Sequence, residues 1–254
     1  MNNIGEIYDY IDKIAPFDTA LSFDNVGLLI GERDINVSKV LLALDITKPV
    51  CEEAKNLGAN LIISHHPIIF KPLKNIAFNG AVATLIKNDI SAICAHTNLD
   101  IAEKGVNFQL AKKLGLSDLS ILAFEENNPI GLLGYLEGEM TAKEFATLVK
   151  EKLGCESVRY TGTNKNIKKV AVCSGSGGSF IENAYEKSAD AFVIGEIKHS
   201  DILKANEFCI TIVDTGHYKS ENVIIEPLKN MLSEKFPNIN FFTSQTFSDE
   251  IHYL

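Results

Sequence analysis

The sequence predicts an α/β protein made of two similar, closely packed α/β lobes. Three observations point there. Apolar β-type runs alternate with helical stretches in both halves of the chain. The runs are too continuously apolar for half-exposed strands and suit parallel strands covered on both faces. The length of 254 residues has room for one large domain or two small ones closely packed, with ample core.

The elements follow in order. A first helix is expected over Ile4 to Ile14, then a turn-rich segment SFDNVG at 22–27. The runs KVLLALD (39–45), NLIIS (60–64) and SAICA (91–95) read as strands, with helices expected over 48–57, 81–88 and 104–114. The segment 116–129 is polar and carries Glu125, Glu126, Asn127, Asn128 and Pro129, so it reads as a linker. The expected lobes are therefore 1–120 and 121–254, with an approximate boundary and with interlinking of the lobes left open. The second half opens with a strand near 130–136, a helix from Thr141 to about Leu153 with Glu144 completing a capping box, and a strand near 156–161. Strands then recur at KKVAVC (168–173), DAFVI (190–194) and CITIV (209–213), followed by helices near 179–187, 198–206 and 217–236. Three strand–helix units in each half suggest a weak internal duplication.

Composition narrows the function classes. A formal net charge of −9 argues against an extended nucleic-acid surface or an anionic membrane patch. No apolar stretch reaches the ~20 residues that span a bilayer. The start, MNNIGEIYDY, has neither a basic n-region nor an apolar h-region, so the cytoplasm is the expected location. The five cysteines show no C-x-x-C spacing and lie mostly in apolar runs, as reduced, structural thiols do.

The histidines are informative by placement. His65, His66, His96, His199 and His217 all fall at or just beyond the C-terminal ends of expected strands, where open α/β sheets form ligand crevices. Each alone reads as a hydrogen-bonded core or surface histidine; five at strand ends read as a site. In Ser64-His65-His66-Pro67 the adjacent imidazoles are expected to diverge and to reach two neighbouring ions rather than chelate one. His96 is followed by Asp100, and His217 and Glu221 share a helix face at i,i+4. This mixed N/O donor set suits zinc, iron or manganese better than calcium or magnesium. The turn SGSGGS at 174–179 reads either as a phosphate cradle or as a tight strand-to-helix turn.

The motifs SFDNVGLLIG, LIISHHP, AHTNLDIAEKGVN, VCSGSGG, IGEIKHSD and DTGHYKSE, in this order over nearly the whole chain, resemble those of the Nif-three-like family, whose members carry the name GTP cyclohydrolase 1 type 2 homologue. The resemblance implies a two-lobed α/β fold, a homohexameric toroid built as a trimer of dimers, and two divalent metal ions per subunit in a cleft between the lobes. It assigns His65 and Asp100 to one ion, His66 and His217 to the other, and Glu221 as a bridge. Two positions depart from the family pattern: Phe23 stands where Trp is usual, and Ser200 follows His199 where a second His is frequent. The chain has no room for the inserted domain of longer members.

The function so implied is a dinuclear-metal hydrolase acting on a small-molecule substrate, a nucleotide. In the mechanism that the resemblance implies, water activated at the metals would attack C8 of guanine in GTP, and a second water step would release formate. His96 and His199 are the expected proton relays. Two alternatives stay open: a metal-dependent phosphoesterase, and a non-catalytic metal-binding scaffold.

Overall fold

A computed structural model describes residues 2–162, 164–246 and 249–252. Contacts within the chain group Met1–Glu103 with Ile225–Ser248 as a first unit, and Lys104–Ile224 with Asp249–Leu254 as a second. The chain enters the second unit after Glu103, and not near 120 as the polar segment had suggested. It then returns to the first.

The first unit contains α1 (Ile4–Ile14), β1 (Gly27–Ile30), β2 (Lys39–Ala43), α2 (Lys48–Leu57), β3 (Leu61–Ser64), α3 (Ala81–Lys87), β4 (Ser91–Cys94) and α4 (Thr97–Ile101). The second contains α5 (Val106–Leu114), β5 (Ser117–Glu125), β6 (Asn128–Met140), α6 (Ala142–Leu153), β7 (Arg159–Tyr160), β8 (Ile167–Cys173), α7 (Ile181–Glu186), β9 (Ala191–Ile194), α8 (His199–Glu207), β10 (Thr211–Asp214) and α9 (His217–Glu221). α10 (Ile225–Lys235) and β11 (Asn240–Thr243) complete the first unit.

The first unit's sheet runs β1-β4-β3-β2-β11, with β11, β2, β3 and β4 parallel and β1 antiparallel at the edge. Leu41 and Ala43 of β2, Ile62 of β3 and Ala92 of β4 pack with Val50, Cys51 and Ala54 of α2 and Leu85 of α3. Val40 and Leu42 alternate to the other face and are also buried, so both faces are covered. Among the described residues, that double burial explains why these runs carry no polar alternation. The helix α1 begins with a capping box between Asn3 and Glu6, and its Tyr10 meets Phe236 edge to face at 5.7 Å.

The second unit's sheet runs β5-β6-β8-β9-β10-β7, with β8, β9 and β10 parallel. Val170, Val172, Val193 and Val213 pack with Phe145, Ala146, Val149 and Leu153 of α6 and with Leu110, Ala111 and Leu114 of α5. Thr141 and Glu144 form the expected capping box of α6. The two sheets share an order: β2-β3-β4-β1 in the first repeats as β8-β9-β10-β7 in the second, three parallel strands closed by an antiparallel one. In both, the third parallel strand is followed after two residues by a five-residue helix, α4 or α9. The duplication suggested by the sequence is therefore a duplication of topology.

The segment 116–129 is no linker. Glu125 pairs with Asn128 across a two-residue turn in which Glu126 and Asn127 have φ of 49° and 67°, the left-handed pair that a tight hairpin demands. β5 is largely exposed, so its polar residues follow from an edge position. The expected helix over 217–236 is broken into α9, a 3-10 turn at Asn222–Ile224 and α10. Of the cysteines, Cys209 is exposed and the other four are buried. No described helix is long and apolar enough to cross a membrane.

Phe145 is fully buried, so Phe145→Ala should cost roughly 3–5 kcal/mol in a urea unfolding experiment, whereas Phe124→Ala, at a side chain 65% exposed, should change stability by less than about 0.5 kcal/mol.

Candidate metal centre

In the first unit, Ala43, Ser64 and Cys94 are paired across β2, β3 and β4, so the residues that follow emerge side by side. Pairing continues briefly past the strands: His65 N donates to Ala43 O at 3.3 Å, His66 N to Leu44 O at 2.9 Å and Ala95 N to Ser64 O at 3.0 Å. These bonds place His65, His66 and His96 together. Their ring centroids are 5.1 to 5.4 Å apart, and their ligand atoms lie within 4.8 Å of one another. His65 and His66 thus lie side by side with rings tilted by 43°, not on opposite sides, because strand geometry has ended at Ser64. Asp100, on α4, brings Oδ1 to 3.5 Å from the buried Nε2 of His65.

Each imidazole is held from behind. His65 Nδ1 meets Ala95 O at 3.0 Å, His66 Nδ1 meets Asp45 Oδ1 at 2.9 Å, and His96 Nδ1 meets Asp24 Oδ1 at 2.9 Å. An oxygen acceptor at Nδ1 fixes the proton there and leaves the Nε2 lone pair to a ligand, which is how metal-binding histidines are oriented. Asp24 is itself anchored, accepting from Thr97 N at 3.0 Å and Thr97 Oγ1 at 2.6 Å. Burial alone would raise the pKa of Asp24, but hydrogen bonds from His96 and Thr97 outweigh it and bring the carboxyl down to about 2.

The second unit carries a related arrangement of its own. His217 opens α9, with Nε2 at 3.0 Å from Glu221 Oε2 one turn on and Nδ1 at 3.2 Å from Glu196 Oε2. Glu221 is 4% exposed. The glycine-rich turn explains how a carboxylate fits there. Gly175 has φ of +60°, and a Cβ on it would stand 2.5 Å from Glu221 Oε1. Gly175 N donates to Ser220 Oγ at 3.0 Å and Ser174 N to Asn107 Oδ1 at 2.9 Å. Those two N–H groups are bonded inside the protein, and at Gly175 the turn serves the close packing of α9.

In each unit, histidine nitrogens backed by oxygen acceptors lie beside a carboxylate, Asp100 in the first and Glu221 in the second, and donors of these kinds fit a divalent transition metal. His199 is the exposed first residue of α8 and stands in none of the donor groups formed by the described residues. Ser200 donates to its neighbour Asp201, and the exposed Phe23 lies 6.2 Å from Phe70, so neither departure from the family pattern replaces a donor. Sequence reasoning did not single out Asp24, Asp45 and Glu196, the carboxylates behind the imidazoles. The signal was present, since Asp45 and Glu196 also follow strands and Asp24 sits in the SFDNVG turn.

The low pKa of Asp24 has a stability consequence. Its folded value lies below the ordinary 3.8, so the stabilisation is complete above about pH 4 and is lost as pH falls towards 2. Compared with Asp24→Asn, metal-free wild-type protein should lose roughly 2 kcal/mol more across that interval, read by chemical denaturation at each pH.

A family model described as Duf34/NIF3 (NGG1p interacting factor 3) matches residues 2–251. A Clostridium perfringens protein named GTP cyclohydrolase 1 type 2 homolog is 34% identical over 260 residues, covering 99% of each chain. Among solved structures, the Staphylococcus aureus hypothetical protein SA1388 is similar with a TM-score of 0.93 and 36% identity, and a Bacillus cereus protein related to NIF3 with 0.93 and 28%, each match covering 99% of both chains. The motifs at the strand ends and the match along the chain agree: this protein belongs to the DUF34/NIF3 family.

Proposed function

We propose that His65, His66 and Asp100 of the first unit and His217 and Glu221 of the second hold two divalent ions per chain, and that the protein is a metal-dependent hydrolase acting on a nucleotide, with opening of the guanine ring of GTP as the reaction. The observation that carries this reading is the set of imidazoles whose Nδ1 atoms are bonded to oxygen acceptors, with Asp100 beside Nε2 of His65 and Glu221 beside Nε2 of His217. His65 and Asp100 would hold one ion and His66 and His217 the other, with Glu221 shared between them. Zinc, iron and manganese suit these donors, and such ions supply Lewis-acid polarisation and lower the pKa of water towards neutrality.

The chain's own residues do the rest. Asp45 and Glu196 fix the rings of His66 and His217 and raise their basicity. Asp24 holds His96 with its proton on Nδ1, so Nε2 is available to take a proton from the attacking water and return it to the ring nitrogen that leaves. His199, exposed at the start of α8, is the second proposed relay. The name GTP cyclohydrolase 1 type 2 homolog, borne by relatives, supports the guanine ring as the target. We also propose the family's homohexameric toroid as the assembly, in the cytoplasm. Exposed apolar side chains such as Phe78, at 85%, are what contacts between copies would cover.

Glu221 would be the costliest donor to lose, because a carboxylate shared by two dications would offset their mutual repulsion. Glu221→Gln should bind one or both ions much more weakly while circular dichroism is unchanged. Gly175→Ala, which forces the Glu221 carboxylate aside, should do so to a lesser degree, and His252→Ala should match wild type. Metal content after dialysis reads all three. Two tightly bound ions in Glu221→Gln would contradict the bridge. With metal-loaded protein and GTP, formate release is the expected product signal; phosphate without formate would make the protein a phosphoesterase, and neither would leave a scaffold. Light scattering should give about six times the chain mass, and a value near 27.9 kDa would contradict the toroid.

A further inference from the structure

A second feature lies beside His66, wholly within the first unit: a cavity of about 400 Å³, within the usual range for small-molecule sites. Its floor is formed by residues just past β2 and β3, namely Asp45, Ile46 and His66, at the C-terminal edge of the parallel strands. Its wall is the connection from β3 to α3, which contributes Leu73 and Ile76. These two side chains are 47% and 52% exposed. Large aliphatic groups left half in water on a concave wall are surface that a flat apolar ligand would cover.

The polar lining narrows the ligand. Among the described residues that line the cavity, Asp45 is the only titratable side chain apart from His66, and none is a lysine or arginine. Away from the ion proposed at His66, a phosphoryl group in this lining would face the Asp45 carboxylate with no lysine or arginine to offset the repulsion, so the apolar wall favours an uncharged group. A ring N–H suits the same carboxylate. Asp45 uses Oδ1 to hold His66, which leaves Oδ2 to accept from a ligand.

We propose that this cavity is the specificity subsite for an uncharged, flat nitrogen heterocycle of purine or pteridine size, with Leu73 and Ile76 covering its face and Asp45 accepting from its ring N–H. The proposal deepens the hydrolytic reading and rests on it for the ring chemistry, because a heterocycle seated here presents one edge to His66. Asp45 then has two duties, orienting a metal-binding imidazole and reading the substrate. A nucleotide would be recognised here by its base, with its phosphates outside this cavity.

The test uses the metal-loaded full chain and three neutral probes, guanosine, adenosine and 6-hydroxymethylpterin, followed by equilibrium dialysis. At least one should bind at micromolar to millimolar concentration, and inorganic triphosphate should not displace it. Ile76→Glu puts a charge on the apolar wall and should weaken binding about tenfold or more, while Ile76→Val retains it. Metal content and circular dichroism should be unchanged in both; if Ile76→Glu fails to fold, Leu73→Gln makes the same test. Absence of binding by all three probes, binding insensitive to the wall variants, or displacement by triphosphate would overturn the subsite. The two readings separate cleanly. Wall-dependent probe binding without formate release from GTP keeps the subsite and removes the hydrolase, whereas wild-type formate release by Ile76→Glu keeps the hydrolase and removes the subsite.

Discussion

Parallel strands that end at one level are the constraint on which the candidate site depends. Ala43, Ser64 and Cys94 are paired across three strands, so the side chains that follow cannot avoid one another. A lone imidazole at such an edge would be a surface histidine. Three of them, with ligand atoms within 4.8 Å, become a donor cluster because the sheet's pairing brings distant stretches of chain to one edge. The sheet in turn depends on burial of both its faces, which makes Val40, Leu41, Ile62 and Ile93 obligatory apolar positions and confines polar chemistry to the strand ends.

The second unit uses the same plan with different residues. After β10, a two-residue connection leads into α9 as the connection after β4 leads into α4, and in each unit a carboxylate is carried on the short helix: Asp100 on α4 and Glu221 on α9. Where the first unit has consecutive histidines after its middle strand, the second has Gly195 and Glu196, and Glu196 supports His217 from behind. One topology thus carries a histidine-rich set in the first unit and a carboxylate-rich set in the second. The glycine at 175 belongs to this division of labour, since it gives the buried Glu221 carboxylate room that any side chain would take.

Much of this was legible in the sequence, and the failures have physical causes. Runs such as KVLLALD and DAFVI can hardly be other than buried strands, and the capping residues at Thr141 and Glu144 marked α6. β5 escaped because an exposed edge strand needs no apolar alternation, and its hairpin turn at Glu126 and Asn127 carries the polar residues that also mark linkers. β11 is four residues long and pairs with β2, some two hundred positions earlier, a partner no local pattern reveals. At the site, His65, His66, His96 and Asp100 stood out by type and position. Asp24 and Asp45 did not, because their role lies in a hydrogen bond to a ring that the fold brings from 72 and 21 residues away. That His65 and His66 would lie side by side was likewise hidden, since strand alternation stops one residue before them.

The central claim is that this chain organises two ions around the histidines and carboxylates at its strand ends. Anomalous diffraction from crystals of metal-saturated protein tests it most directly. The account predicts two peaks per chain, one bonded by His65 and Asp100 and the other by His66 and His217, with Glu221 bonded to both. A single peak held by His65 and His66 together would contradict it.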